Sequence, residues 1–391
     1  MARKSKKVLA AVLTISMISQ VLFGESGAGT VHADTSKDAG NQQQTEESFS
    51  IERLTSNYTI VSSGYTAPAY KGDPVLWQMD KILYEGDSGY LAGDNYGYEN
   101  GVVDVKSGDS IRMTVTVPET ACYWVGFDYL SYDQSILPIE FALKVDGEFP
   151  FYESRNLSFE TTWASQEEVS HDRYGNEIVS LPDKLIQWER KYLSDASYRR
   201  SQPLPVELEQ GTHQLEISVS EGQFLLGNIC LQAPAEVPVY TGSEKAQGSE
   251  LITIQGEDFY QRNDSAIHAI GEYDTALFPL SATDTVLNKV DSDSFKNAGK
   301  TVTYEFEVDQ PGYYYLAMNY KQSDKNDFPV FLDFRIDGQI PSTAFQGWQA
   351  EYTTKYRTAA LQDGDGNNLS VYLDQGRHTI SITIRYPKAA T

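Results

Sequence analysis

The chain reads as an all-β protein: two tandem antiparallel β-sandwiches of jelly-roll type behind a signal peptide. Three features predict this: an internal repeat, period-two alternation of apolar residues in each copy, and a scarcity of long amphipathic helical runs. Gly108–Gly147 (GDSIRMTVTVPETACYWVGFDYLSYDQSILPIEFALKVDG) aligns without a gap on Gly299–Gly338 (GKTVTYEFEVDQPGYYYLAMNYKQSDKNDFPVFLDFRIDG) at a constant offset of 191. Gly108, Val117, Tyr123, Tyr129, Asp133, Pro138, Asp146 and Gly147 recur as Gly299, Val308, Tyr314, Tyr320, Asp324, Pro329, Asp337 and Gly338. A second block follows in the same order at an offset of 165, where LPVELEQGTHQLEISVS (204–220) meets LSVYLDQGRHTISITIR (369–385). An ungapped match, shared alternation and the same block order make coincidence a poor account.

Each block divides into strands. Ile111, Met113, Val115 and Val117 alternate with polar residues, as do Val302, Tyr304, Phe306 and Val308. Pro118 and Gly312 punctuate the passage to a Tyr- and Trp-rich strand. Phe141, Leu143 and Val145 form a third strand that stops at Asp146-Gly147, and Phe331–Ile336 stops at Asp337-Gly338. Gln210-Gly211-x-His213 and Gln375-Gly376-x-His378 each open a further strand from a glycine turn. The best helical candidate is Asp183–Leu193, and Trp77 and Trp124 read as core or near-core residues. The expected organisation is a signal peptide over 1–33, a polar spacer over 34–50, sandwiches over 51–236 and 249–391, and a linker over 237–248. Each repeat unit, roughly 140–160 residues, is long enough for its own core.

The leader has a basic cluster (Arg3, Lys4, Lys6, Lys7) and an apolar run from Val8 to Phe23, and Val31-His32-Ala33 supplies a cleavage site. An uncleaved anchor is the rival reading; either way the protein leaves the cytoplasm. No cysteine sits beside the cleavage site, which excludes lipid attachment there. Removing this segment, with its four basic residues and Glu25, takes the formal charge from −24 to about −27. Such a surface repels phosphate backbones and anionic lipid, so nucleic acid is not an expected partner. Cys122 and Cys230 either form one disulfide or remain buried thiols. His213 and His378 follow turns in the repeat and carry a structural reading. No G-x-S-x-G, H-E-x-x-H or Cys-His arrangement occurs, so no enzyme is expected.

Ile252–Asp264 (ITIQGEDFYQRND), the strand ending YYYLAMNY (313–320), the Asp-Gly turn and the QGxHTI block together resemble galactose-binding-like carbohydrate-binding modules. With LAGDNYGYENGVVDVKSGDS (91–110) in the first unit, the pair resembles the N-terminal region of large secreted solute-binding proteins of Gram-positive ABC importers. The resemblance implies a glycan or oligosaccharide ligand and, through further sequence, membrane permease subunits as partners. It also implies a structural calcium ion at Glu257 and Asp258, with Asp94 the nearest equivalent in the first unit; a solvated acidic strand edge is the plainer reading. Asp363-Gly-Asp365-Gly-Asn367 has a calcium-loop spacing but lacks the glycine at position six, so an ordinary turn is expected.

Ligand-contact candidates are Trp163 and Trp188 in the first unit and Trp348, Tyr352 and Tyr356 in the second. They fall between the repeated strand blocks, where loops carry binding residues, and an aromatic face stacks on the apolar face of a pyranose. Packing beneath long loops is the alternative for each. Glu221–Pro234 closes the first unit, whereas the second shows no counterpart after Arg385; this leads to the expectation of a longer protein or an unpaired edge. Beside the carbohydrate-binding reading stand a structural or protein-docking module and the ancillary region of a secreted glycoside hydrolase.

Overall fold

The computed structural model describes residues 10–16, 55–81, 83–86, 89–166, 168–242, 244–246, 249–323 and 328–387. The expected spacer and most of the expected signal peptide lie outside these residues. Within the expected signal peptide, Ala10–Ser16 forms a strand, β1.

The first unit opens with a short helix, α1 (Tyr58–Ser62), whose start is capped by Asn57 Oδ1 accepting from the Ile60 amide at 3.1 Å. The strands that follow are β2 (Val75–Trp77), β3 (Leu83–Gly86), β4 (Gly89–Leu91), β5 (Val102–Lys106), β6 (Ser110–Val117), β7 (Ala121–Ser131), β8 (Ile139–Val145) and β9 (Leu157–Phe159). An arm of short strands comes next: β10 (Trp163–Ala164), β11 (Ser170–His171), β12 (Glu177–Ile178), β13 (Asp183–Lys184) and β14 (Glu189–Tyr192). β15 (Val206–Leu208), β16 (Gly211–Glu221) and β17 (Gln223–Gln232) close the unit. One sheet runs β14-β7-β17-β5-β4, with β15 also on β7 and β2 on β17; the other runs β3-β6-β16-β8-β9.

The core lies between these sheets because every second residue turns inward. Ile111, Met113, Val115 and Val117 from β6 meet Tyr123, Val125, Phe127 and Tyr129 from β7, with Leu215, Ile217 and Val219 from β16 and Phe224, Leu226, Ile229 and Leu231 from β17. The expected alternation and the closing strand at Glu221–Pro234 are therefore both present. Trp77 and Trp124 are buried, as expected.

The second unit comprises β18 (Leu251–Ile254), β19 (Gln261–Arg262), β20 (Ala269–Ile270), β21 (Lys289–Val290), β22 (Thr301–Val308), β23 (Gly312–Gln322), β24 (Val330–Ile336), β25 (Trp348–Ala350), β26 (Thr353–Ala360), β27 (Ser370–Leu373) and β28 (Gly376–Arg385). One sheet is β18-β1-β23-β26 with β27 also on β23, and the other contains β19-β22-β28-β24-β25. Its core repeats the first: Val302, Tyr304, Phe306 and Val308 face Tyr314, Leu316, Met318 and Tyr320, backed by Ile380, Ile382 and Ile384.

The repeated Asp, Gly and His residues form a turn clamp in each unit. Asp146 (φ 52°) and Gly147 (φ 84°) make a tight hairpin turn, as do Asp337 (φ 48°) and Gly338 (φ 75°). The Asp146 carboxylate accepts from the Gln214 amide at 2.8 Å and sits 2.6 Å from His213 Nδ1, while His213 Nε2 faces the Glu209 carbonyl at 2.8 Å. Asp337, Thr379, His378 and Asp374 repeat this set at 2.7–2.9 Å. The structural reading of both histidines follows from these bonds.

Asp183–Leu193 is not helical. Glu189–Tyr192 pairs antiparallel with Gly126–Tyr129 of β7, and the open lane beside β7 overrides the local helical pattern. The arm also splices the two units. Trp163 and Ala164 pair with Lys184 and Asp183 on one side and with Arg262 and Gln261 on the other, adding β10 and β13 to the second unit's sheet. Further bonds reinforce the seam: Ser165 N to the Tyr260 carbonyl (2.9 Å), Glu177 N to the Thr285 carbonyl (2.9 Å) and Arg335 Nη2 to the Ser201 carbonyl (2.7 Å).

Cys122 and Cys230 are both free thiols. Cys230 sits opposite Gly126, four residues along β7 from Cys122. At about 3.3 Å per residue this separates them by roughly 13 Å, well beyond the ~7 Å that a disulfide spans.

Candidate functional site

On the outer face of the first unit's sheet, Val102, Leu130 and Leu225 form a small buried apolar floor roofed by Tyr98, Tyr132 and Trp188. The Trp188 indole stacks on Tyr98 with ring centroids 4.2 Å apart, and its Nε1 donates to the Asn95 carbonyl at 3.0 Å. Tyr98 lies close over Gly227, where a Cβ would come within 2.7 Å of the phenol ring. Its hydroxyl donates to Asp128 Oδ2 at 2.7 Å and accepts from the Asn228 amide at 2.7 Å. Arg190, placed by β14, grips the same carboxylate from Nε (2.6 Å) and Nη2 (2.9 Å), the bidentate geometry of strong charge-assisted pairs. Burial, together with the Asp128 bond, pushes the Tyr98 hydroxyl up in pKa, so it remains a neutral donor. Asn228 is buried at a break in the β17 register between Leu226 and Ile229, and its Oδ1 has no hydrogen-bond partner. A buried amide oxygen without a donor calls for a ligand or a water.

The second unit carries different chemistry at the matching place. Asn319 and Lys321 on β23 stand where Asp128 and Leu130 stand on β7, at the repeat offset of 191. Glu272 accepts from Lys321 Nζ at 2.6 Å, from the Tyr356 hydroxyl at 2.8 Å and from Lys289. Burial opposes ionisation of Glu272, yet Lys289, Lys321 and Tyr356 together hold its pKa down at about 2. The Lys321 ammonium sits 4.5 Å from the Tyr356 ring centroid. Buried Asn288 staples the surrounding loop, accepting from the Glu272 amide (3.0 Å) and donating to the Glu272 and Pro279 carbonyls (both 2.9 Å). Next to these anchors, Tyr273 is 73% exposed and Phe328 66%; Phe328 is held through its carbonyl by Gln322.

These placements revise the expected ligand contacts. Trp163 is buried in the inter-unit seam, with Nε1 on Thr161 Oγ1 at 2.9 Å, because the sheet of the second unit recruits its backbone. Trp348 is also buried, edge-on to Tyr320 and to Phe334 with centroids 6.0 Å away in each case, and belongs to the core. Tyr356 is buried and anchors Glu272 from beneath. Trp188 and Tyr352 are half-buried and reach the surface; Tyr352 adjoins Glu351, whose amide donates to the Tyr320 hydroxyl at 3.1 Å. Sequence reasoning missed Tyr98, Asp128, Arg190, Asn228, Glu272, Tyr273, Lys321 and Phe328. The available signal was a polar residue at the same repeat position in both apolar strands, Asp128 and Asn319.

Glu257 and Asp258 lie in the turn after β18, where the Gly256 carbonyl accepts from the Tyr304 hydroxyl at 2.9 Å. Burial, with the charges of Asp258 and Glu177 nearby, pushes Glu257 up to about 8, and Asp258 is raised by burial and by Glu177. Glu257 Oε2 is enclosed without a partner, which suits a cation. Calcium, however, takes six to eight oxygens. Among the described residues no group of three or more His, Cys, Asp or Glu side chains is placed to hold a metal ion. Asp363 forms an ordinary turn, accepting from the Asp365 amide at 3.0 Å and the Asn367 amide at 2.8 Å. Asp94 likewise accepts from the Gly97 amide at 2.7 Å.

A cleft of about 160 Å³ at the seam is lined by Ser158, Glu160, Tyr198, Asn263 and Lys300, among others. It is smaller than the ~300–1,000 Å³ of usual ligand pockets.

No family model matches this chain, and no curated protein does. Among solved structures it is similar to a family 35 carbohydrate-binding module from Clostridium thermocellum, with a TM-score of 0.27, 13% identity, and coverage of 41% of this chain and 99% of that one. A family 35 module from an environmental isolate gives 0.25, 14%, 42% and 99% in the same order. A Podospora anserina β-(1,4)-mannanase that carries such a module gives 0.27, 14%, 42% and 28%. Likenesses this distant carry nothing about a ligand.

Proposed function

We propose that the chain is a non-catalytic, extracellular carbohydrate-binding pair. One observation carries this reading. At the same register of the duplicated strand, both units set aromatic residues beside fixed charged groups: Trp188 and Tyr98 with Asp128 and Arg190 in one, and in the other the Glu272–Lys321 pair, with exposed Tyr273 next to Glu272 in the chain, Phe328 held by Gln322, and Tyr352 next to Thr353, the partner of Gln322. Rings present flat apolar faces to the C–H face of a sugar, and rigidly held carboxylates and amides take its hydroxyls.

Placement of the pair at the front of an importer's solute-binding protein, exported by its leader and acting with membrane permease subunits, belongs to the same proposal and rests on the sequence resemblance. A structural calcium ion at Glu257, completed by oxygens beyond Asp258, belongs to it as well.

A broad glycan screen followed by calorimetry is the test. Trp188→Ala and Tyr352→Ala each weaken binding at least about tenfold, which is the loss of roughly 1.4 kcal/mol expected when a stacking ring is removed. A screen with no hits, or affinity untouched in the double variant, overturns the reading.

A further inference from the structure

The second unit has a lane in its sheet that a borrowed strand fills. In the first unit, β17 lies antiparallel to β7 along Trp124–Ser131 and meets β2, the unit's first strand, on its other edge. Shifted by the repeat offset of 191, Trp124–Ser131 becomes Tyr315–Gln322 of β23. There the neighbour is the leader strand β1, which runs parallel to β23 along Tyr315–Lys321 and meets β18, the second unit's first strand, on its other edge. The lane is the same; its occupant comes from the opposite end of the chain and points the other way.

What the lane takes can be read from β17. Its inward residues Phe224, Leu226, Ile229 and Leu231 complete the first core. In the second unit, buried Leu316, Met318 and Tyr320 on β23 and Ile254 on β18 flank the lane. A parallel ladder is slightly weaker per residue than an antiparallel one. The leader pairing is also only seven residues long. An unfilled lane would leave two rows of backbone donors and acceptors unpaired beside an apolar core, the condition that invites strand addition.

We infer that the lane between β18 and β23 is a strand-acceptor site, and that its occupant once the leader is gone is an apolar polypeptide strand of β17-like composition lying antiparallel to β23. This is independent of whether either unit binds sugar.

The test compares the full chain with a full-chain variant carrying Val12→Pro and Ile15→Pro, which removes two amide donors from β1. The probe is a synthetic peptide with the sequence of Gln223–Gln232 and serine for its cysteine, read by hydrogen exchange at the β23 amides of Tyr315–Lys321 and by solution mass. In the proline variant the alternate amides of this stretch that face β1 lose protection while those bonded to β26 and β27 keep it, and the peptide restores the lost protection by about a hundredfold or more, whereas a scrambled peptide does not. The β7 amides stay protected throughout and report that the first unit is folded. To keep the test decisive where the variant does not fold on its own, a second form carries the same decapeptide fused after Arg385 through an Asn-Gly turn; it is protected at Tyr315–Lys321 despite the prolines. Full protection in the monomeric proline variant without peptide, equal rescue by the scrambled peptide, or no protection in the fused form overturns the inference. Protection that arises through dimerisation overturns it too, since the occupant is then a second copy.

Discussion

Replacing His378 by Gln tests how the turn clamp works. The carbonyl of Asp374 can only accept, so His378 Nε2, 2.9 Å away, carries a proton; the carboxylate of Asp337, 2.7 Å from Nδ1, requires a proton there as well. Only the imidazolium form satisfies both bonds at once. Burial opposes the charge, but the bonds to Asp337 and Asp374 outweigh it, and the His378 pKa is raised. A folded pKa above the unfolded one means stability that is fully present below the ordinary value near 6.5 and is lost as pH rises through the raised value. The ring is only 13% exposed and its carboxylate partner 49% exposed. A charge-assisted bond to a half-exposed partner contributes about 1 kcal/mol, between the values for buried and for surface pairs. His378→Gln should thus cost about 1 kcal/mol more at about pH 5.5 than at about pH 9, read from urea unfolding of the second unit. His213→Gln should do the same to the first unit, where His213 is raised in pKa by the matching bonds to Asp146 and Glu209 despite burial. NMR titration of the ring protons gives a direct check. A cost that is equal at both pH values, or a ring that titrates at or below the ordinary value, would refute the imidazolium assignment.

Gly108→Ala and Gly299→Ala form a matched pair at one repeat position. Both glycines have φ near +90°, which costs an alanine ~1–2 kcal/mol, but only at Gly299 would the Cβ strike a ring, 2.3 Å from Tyr198. Chemical denaturation should show Gly299→Ala worse by a further ~1–3 kcal/mol; equal losses would mean that the seam yields freely. Glu257→Gln should raise the melting temperature at about pH 8 and change it little at about pH 5, since the wild-type acid loses stability as pH climbs from its ordinary value towards about 8. Added Ca²⁺ that stabilises the wild type and not this variant supports an ion there, and no shift for either argues against one. Thiol titration of the unfolded, unreduced chain should find both Cys122 and Cys230 reactive, and a value near zero would contradict the β7 register.

Much of the fold was legible because strand alternation is dictated locally. Ile111–Val117 and Val302–Val308 bury the residues that their spacing predicts, and the Asp-Gly turns fall where the repeat puts them. The segment Asp183–Leu193 was not legible, since its conformation is imposed by the neighbouring β7 rather than by its own residues. The candidate site was legible only in part for a related reason. A tryptophan in a loop advertises contact surface, but whether it covers a sheet face, as Trp188 does, or fills a seam, as Trp163 does, depends on partners far away in sequence. Arg190 and Asp128 are 62 residues apart, and only the strand pairing brings them together.

For the proposed carbohydrate binding, the splice of β10 and β13 into the second unit's sheet has a consequence for avidity. Two modules on a loose tether let a long polymer engage both over a range of spacings, each binding event raising the local concentration for the next. Here the hydrogen bonds of Trp163–Ser165 fasten the units to one another directly, as part of one ladder. The gain from two-point attachment then depends on whether the polymer's own repeat matches a fixed span. Chains that match would be held far more tightly than short fragments, and chains that do not would be held no better than by one unit. The pair would act as a gauge of polymer geometry.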